Sequence, residues 1–173
     1  MIAAKTYDSL QYINQIIRER AIEKYYLTIV IGQFPKYLMI DKPLTKTYNE
    51  KFERGQMHID EKNGVEAKTE CRCEKVVYHP LLGQLSLVKI KLHTGRMHQI
   101  RIHMSDVGHP VVGDIVYGNQ AVNKILYKSL NINRQLLHCW EYSFHDPYQK
   151  KRVHFTAPLP KEFETIAHLT RKK

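Results

Sequence analysis

No stretch of this 173-residue chain approaches the ~18 uninterrupted apolar residues that a membrane-spanning helix needs. The N-terminus also lacks the charged-then-apolar layout of a secretory signal. A soluble cytoplasmic protein with no membrane partner is therefore expected. Cysteine is scarce. Cys71, Cys73 and Cys139 make an odd set without a Cys-x-x-Cys pair, and zinc would need better spacing. Cys71 and Cys73, two residues apart, read as reduced, small apolar side chains sharing one face of a strand. Acidic residues are in deficit. Against 27 Lys and Arg there are 17 Asp and Glu, for a net charge of +10. That excess favours a polyanionic partner, RNA or DNA ahead of an anionic membrane surface. No repeat and no linker-like composition interrupts the chain, so residues 1–173 are expected to form one domain, large enough for a real core.

The stretch around which the rest is organised runs from Lys91 to Gly118. Residues 85–92 alternate loosely between apolar and Ser or Lys, as a half-buried strand does. Thr94 is a candidate helix N-cap, Gly95 allows a tight exit from the strand, and Gly108 suits a C-cap. Between the caps Met97, Ile100, Met104 and Val107 form an apolar stripe that would pack a helix on a sheet. Arg101 falls between Met97 and Met104 on that wheel and not on the solvated face. A guanidinium there is half-buried and always charged, so it needs an anionic partner. Spacing alone leaves two readings open, a structural ion pair and an active-site arginine.

Elsewhere the punctuation is ordinary. Thr6 or Asp8 can cap a helix with Leu10, Ile13 and Ile17 as its buried stripe, ending near Arg18–Arg20. Residues 24–31 are a strong β run of aromatic and β-branched residues, in which Tyr25 and Tyr26 point to opposite faces. A short strand follows at Tyr37–Ile40. Residues 42–63 are a polar, Lys-rich excursion ending in an Asn63-Gly64 turn. Segments 65–78 and 84–92 read as an antiparallel pair. Residues 119–135 form a polar excursion with a short helix. A strand through Trp140 to Phe144 turns at Asp146-Pro147 and returns over Arg152–Phe155, before a C-terminal helix.

The central segment, TGRMHQIRIHM…GHPVVGD…YG, resembles the signature of the RluA-type RNA pseudouridine synthases, which reads roughly TGR-x-HQIR-x-H…GHP-x-x-GD…YG. The resemblance continues through Glu23-Lys24-Tyr25-Tyr26-Leu27, through Gly64–Thr69 and through Arg134–Cys139, so it spans nearly the whole chain. It implies an α+β fold with a mixed, largely antiparallel sheet flanked by helices. It also implies isomerisation of uridine in ribosomal or transfer RNA. That reaction changes neither oxidation state nor composition, so no cofactor and no metal are called for. By the same resemblance Tyr26 is the active-site tyrosine that holds the base and takes the C5 proton, and Arg101 pairs with the catalytic aspartate. Leu137 lies beside the uracil, and Arg96, His98 and Gln99 belong to the substrate-binding motif.

The family's nucleophile lies in an Arg-Leu-Asp element just ahead of the segment that residues 1–6 resemble, and this chain has no such element. Residues 1–6 read like the tail of a strand whose beginning is missing. None of Asp41, Asp60, Asp106 and Asp114 is placed by motif to replace the lost carboxylate, so Arg101 is expected to lack its partner here. The expectation is the C-terminal two-thirds of a catalytic domain, inactive alone and open to an N-terminal complementing fragment. A non-catalytic RNA-binding module and one half of a split synthase are the alternatives. A missing strand would also leave a sheet edge able to pair with another chain. A metal site from His93, His98, His103 and His109 is disfavoured, because spacings of five, five and six place no pair on one helical face.

Overall fold

The computed structural model describes residues 3–49 and 54–167. Helix α1 spans Tyr7–Arg18 and starts where expected, with the Thr6 side chain accepting from the Ser9 amide at 3.3 Å. Its buried face differs from the expected stripe. Ile16 is buried and Tyr12 and Ile13 are partly so, packed on Ile22, Phe144 and Val153, while Leu10 and Ile17 are about half exposed. The corner of the sheet that α1 covers sets this rotation, and a bond from the Tyr12 hydroxyl to the His145 carbonyl at 2.6 Å fastens it. Residues 3–6 form no strand, and Met1 and Ile2 of the opening run lie outside the described residues.

The β run becomes β1 (Glu23–Ile31). It is followed by β2 (Tyr37–Asp41), the hairpin β5 (Lys68–His79) and β6 (Gly83–Leu92), and then β7 (Leu137–Asp146) and β8 (Lys151–Thr156). These six make one sheet in the order β2-β5-β6-β1-β7-β8, with every pairing antiparallel. The polar excursion at 42–63 holds more order than expected. It contains β3 (Leu44–Asn49) and β4 (Arg54–Ile59), paired antiparallel as a separate two-stranded sheet. Leu44, Met57 and Ile59, scattered among polar neighbours, gain a buried side by packing on Ala67 and Ile102.

Helix α2 spans Gln99–Asp106, α3 Gln120–Leu130 and α4 Lys161–Ala167. Alternation along the strands divides the core into two layers. Tyr26, Val30, Cys71, Cys73, Val88 and Ile90 form one layer, closed by Ile100, Met104 and Val107 around α2. Cys71 and Cys73 share that face, as their spacing implied, and all three cysteines are free thiols. Leu27, Ile29, Leu85 and Leu87 form the other layer, closed by Leu126 of α3 and by Phe163 and Ile166 of α4.

The segment after α2 is stitched into this frame. Gly108 follows the helix with φ +81°, a left-handed ending glycine tolerates. Val112 donates to the Ile29 carbonyl at 2.9 Å and accepts from the Leu136 amide at 2.8 Å. Gly113 then turns with φ +82°, and a Cβ there would lie 2.1 Å from the Arg134 carbonyl oxygen. Gly113→Ala is therefore expected to cost about 2–4 kcal/mol, from the disfavoured backbone region and the clash together. Gly95 has open space around it, and Gly95→Ala should stay within about 0.5 kcal/mol of wild type. Urea melts of the two variants check this contrast, and equal stability would overturn it.

Candidate active site

Helix α2 begins later than expected. Its first residue is Gln99, preceded by His98 in the left-handed region at φ +57° with no side-chain cap. Met97 therefore lies outside the helical wheel and is 44% exposed. Thr94 does not cap the helix. Its buried hydroxyl accepts from the Lys68 amide and donates to Gln99 Oε1, both at 2.8 Å. Gln99 Oε1 also accepts from the Arg96 amide at 3.0 Å, and Nε2 donates to the Lys68 carbonyl at 3.1 Å and to Thr69 Oγ1 at 2.9 Å. Two donors and two acceptors are all that a side-chain amide has. Gln99, expected in the substrate-binding set, is thus buried and wholly occupied in building the turn. Arg96 remains partly exposed, with Nε donating to the Glu66 carbonyl at 3.1 Å.

Contrary to the expectation that Arg101 lacks its partner here, it has a carboxylate partner in this chain. Its Nε and Nη2 donate to Asp114 Oδ2 and Oδ1 at 2.6 and 2.8 Å. The two side chains are 11% and 0% exposed. The Asp114 Oδ1 further accepts from the amides of Val116 and Tyr117 at 2.9 and 3.0 Å. Burial pushes this carboxyl's pKa up, but the bonds from Arg101, Tyr117 and Val116 outweigh it and hold the pKa below the usual carboxylate range. The Arg101 guanidinium stacks 4.9 Å from the Tyr117 ring centre. The Tyr117 hydroxyl accepts from the Met57 amide at 3.2 Å and shares a hydrogen bond with His98 Nδ1 at 3.1 Å. Burial, then the Arg101 charge, lowers the His98 pKa, so its imidazole is neutral near pH 7.

Tyr26 and Leu137 meet in the apolar layer that Ile100 and Met104 close. Tyr26 stands opposite Ile90 of β6 and Cys139 of β7, immediately after a register shift in the β1–β7 pairing. The extra residue is Trp140 of β7, while β1 runs without interruption against β6. Burial, then the neighbouring Cys139 and Tyr142, raises the Tyr26 pKa well above its ordinary value, so Tyr26 remains a phenol near neutrality. Among the described residues no hydrogen bond or ion pair joins Tyr26 to Arg101. On the opposite face of the sheet, Lys89 lies 4.6 Å from the Tyr25 ring centre and 4.5 Å from that of Trp140. A cleft of about 500 Å³ opens there. Its walls pair Lys89 with Glu141 at 3.1 Å and Arg72 with Glu70 at 3.2 Å, so it carries little net charge.

The remaining carboxylates and imidazoles are dispersed. Asp41 pairs with Lys68 at 3.3 Å and Asp106 with Lys42 at 2.6 Å. Asp60 and Asp146 each accept two backbone amides in turns, and Asp8 sits in the first turn of α1. His93 faces Glu70, His103 bonds Thr69 and the Lys42 carbonyl, and His109 bonds the Ile31 carbonyl. Among the described residues no three His, Cys, Asp or Glu gather in a way that could hold a metal ion. Sequence reasoning missed the roles of Asp114 and Tyr117. Their one signal was the Gly-Asp and Tyr-Gly spacing of the central segment.

This architecture is that of a pseudouridylate synthase domain. The solved structure of human RNA pseudouridylate synthase domain containing 1 superposes with a TM-score of 0.72 at 25% identity, covering 90% of this chain and 62% of that one. The model of the family described as RNA pseudouridylate synthase matches residues 1–106, and the chain belongs to that family. Over 167 residues it is 35% identical to the ribosomal large subunit pseudouridine synthase C of Buchnera aphidicola subsp. Baizongia pistaciae, covering 96% of this chain and 51% of that protein. It is 32% identical over 154 residues to the tRNA pseudouridine synthase C of Haemophilus influenzae, covering 86% of this chain and 64% of that protein. The chain thus spans about half to two-thirds of the length of these relatives.

The enclosed ion pair makes a stability prediction. Arg101→Met leaves Asp114 charged and buried, which should cost about 3–5 kcal/mol at pH 7. The folded-state pKa of Asp114 is depressed, so the pair's contribution is in full above the unfolded value of about 3.9 and fades as pH falls through the lower, folded value. The gap between wild type and variant should accordingly narrow on acidification below about pH 4. Urea melts at neutral and acid pH measure it. A variant as stable as wild type at pH 7 would show that the pair contributes nothing.

Proposed function

We propose that this chain is the larger part of an RNA pseudouridine synthase catalytic domain, with residues 1–173 forming one unit. It acts in the cytoplasm on uridine in ribosomal or transfer RNA, once an aspartate is supplied from a segment ahead of it. The observation that carries this reading is the folding of the central segment. The turn of Arg96, His98 and Gln99, the Arg101–Asp114 pair and the Gly113–Gly118 turn form one constellation on α2. The inner face of that helix closes the apolar layer holding Tyr26 and Leu137. The relatives named for ribosomal large subunit and tRNA modification support the substrate class.

The reaction breaks N1–C1′, joins C5 to C1′, moves a proton off C5 and returns one to N1. It needs an ionised carboxylate held away from water, a cation to keep it ionised, and a flat surface for the base. The target nucleotide must leave its RNA stack to enter such a site. Arg101 supplies the cation. Tyr26 and Leu137 supply the surface beside the uracil. Burial raises the pKa of Tyr26 and keeps it a phenol, which suits it to packing against the base.

Every aspartate in the chain is bound into an ion pair, a turn or the first turn of α1, and among the described residues no hydrogen bond joins any of them to Tyr26. The isolated chain is therefore expected to form no pseudouridine on ribosomal or transfer RNA from a synthase-deletion host. A segment bearing Arg-Leu-Asp, joined ahead of residue 1 or added in trans, should restore formation. Turnover by the chain alone would refute the need for that segment. A supplemented chain that binds RNA yet stays inactive would favour a non-catalytic RNA-binding module.

RNA binding itself should survive in the isolated chain, with little sequence preference, through phosphate contacts from the excess Lys and Arg. Its affinity should fall steeply between about 50 and 200 mM salt as counterions are released. Filter binding across that range tests the point, and a flat response would mean that the charge is incidental.

A further inference from the structure

Away from Arg101, two other arginines converge on a single residue, Glu66. Arg20 closes α1 from a position that glycine ordinarily fills. Its amide donates to the Ile17 carbonyl at 3.2 Å, the Ala21 amide donates to the Ile16 carbonyl at 2.9 Å, and this ending holds Arg20 at φ +56°. A side chain in that region strains the backbone where glycine would not. The guanidinium so placed brings Nη2 to 3.6 Å from Glu66 Oε2, with both side chains more than half exposed. Arg96 meets the same residue through its backbone, Nε donating to the Glu66 carbonyl at 3.1 Å, and the Arg96 amide is itself fixed by Gln99 Oε1 at 3.0 Å. Glu66 is pinned on both sides. Val65 exchanges backbone bonds with Leu44 at 2.8 and 2.9 Å, and the Ala67 carbonyl accepts from the Lys42 amide at 3.1 Å. Two guanidinium groups are thus held around one exposed carboxylate, and the charges do not balance.

We infer that Arg20 and Arg96 form a subsite for a backbone phosphate of single-stranded RNA, in which the Glu66 carboxylate is a place-holder that the phosphate displaces. The choice of RNA rests on the proposed synthase reading, and the anion site rests on the geometry. An ion pair as long and as exposed as Arg20–Glu66 is weak, so exchanging it for a phosphate costs little. The planar guanidinium fork matches phosphate oxygens as well as it matches a carboxylate. Arg96 is held by the carbonyl of Glu66 and not by its carboxylate, so it stays in place when the carboxylate leaves. It also sits in the turn that leads into α2, which puts a strand bound here beside the helix that carries Arg101.

The test uses the 173-residue chain with its arginines labelled with ¹⁵N. The probes are inorganic phosphate, hexauridylate, and a hexauridylate with uncharged methylphosphonate linkages. Hexauridylate should shift the guanidinium signals of Arg20 and Arg96 together and saturably, and the uncharged strand should shift neither. A response to inorganic phosphate without one to hexauridylate would overturn the RNA assignment. Silence with both, or an equal response to the uncharged strand, would overturn the subsite. Glu66→Gln keeps the carbonyl that holds Arg96 and removes the competing charge, so it should tighten hexauridylate at least about threefold at low salt. Unchanged or weaker binding would overturn the place-holder role. Arg20→Gln should weaken hexauridylate at least about threefold and lower its salt slope by about 1. Lys128→Gln, an equal loss of charge on the exposed side of α3, should change the affinity by less than about twofold. Equal losses in these two variants would mean that the attraction is diffuse, and the inference falls. Should Arg20→Gln fail to fold, the contrast between probes in wild type and the gain in Glu66→Gln decide alone. A chain supplemented with an Arg-Leu-Asp segment that makes no pseudouridine, while both arginines still respond to hexauridylate, would refute the synthase reading and leave the subsite standing.

Discussion

A carboxylate enclosed as fully as Asp114 has to be matched, and its match to Arg101 ties together parts of the chain that would otherwise be independent. The pair joins α2 to the 113–118 turn. That turn follows Val112, which is hydrogen-bonded to Ile29 of the central strand and to Leu136. Gly113 makes the join possible by passing directly beneath the Arg134 carbonyl. Helix, turn and sheet thus share one electrostatic fastening, whose buried charges would each be costly alone. The Tyr117 ring and the His98 imidazole extend it to the amide of Met57 in β4.

The rest of the charge is arranged differently. Lys42, Lys68, Lys89 and Arg152 each sit against a carboxylate at a partly exposed position, where solvent makes such pairs weak. They set local geometry more than stability. The surplus of basic residues is a long-range property, suited to attracting a polyanion without choosing among sequences. The region around α2 is of a different kind. There Met97, Ile115 and Val116 are 44%, 70% and 45% exposed beside the buried polar network.

Tyr25 and Tyr26 show how strand alternation separates neighbouring side chains. The register shift between β1 and β7 at this point leaves the extra residue, Trp140, on β7, and β1 itself is regular against β6. Tyr25 faces the charged cleft with Lys89, and Tyr26 faces the apolar layer with Leu137. Neighbouring tyrosines consequently have opposite surroundings, and burial raises the pKa of Tyr26.

Local physical chemistry was enough to locate most of the elements. The β-branched and aromatic run at 24–31, the Thr6 cap and the 68–92 hairpin follow from short-range preferences that neighbouring residues reinforce. The central motif was legible for the same reason, since its residues lie close together in the chain. Even the need of Arg101 for an anion could be read from its place on a helical wheel. The identity of that anion could not, because Asp114 is brought to it by a turn built on contacts with β1 and residues 134–136. The β3–β4 hairpin was hidden likewise, its few apolar residues being buried only by Ala67 and Ile102. The rotation of α1, the late start of α2 and the enclosure of Gln99 are decisions of the same kind. The sequence determined which segments become strands and helices and where the motif lies, because those depend on neighbours along the chain. Only the tertiary structure decided which face each helix buries and which carboxylate holds the arginine, because those depend on groups that meet only after the chain has folded.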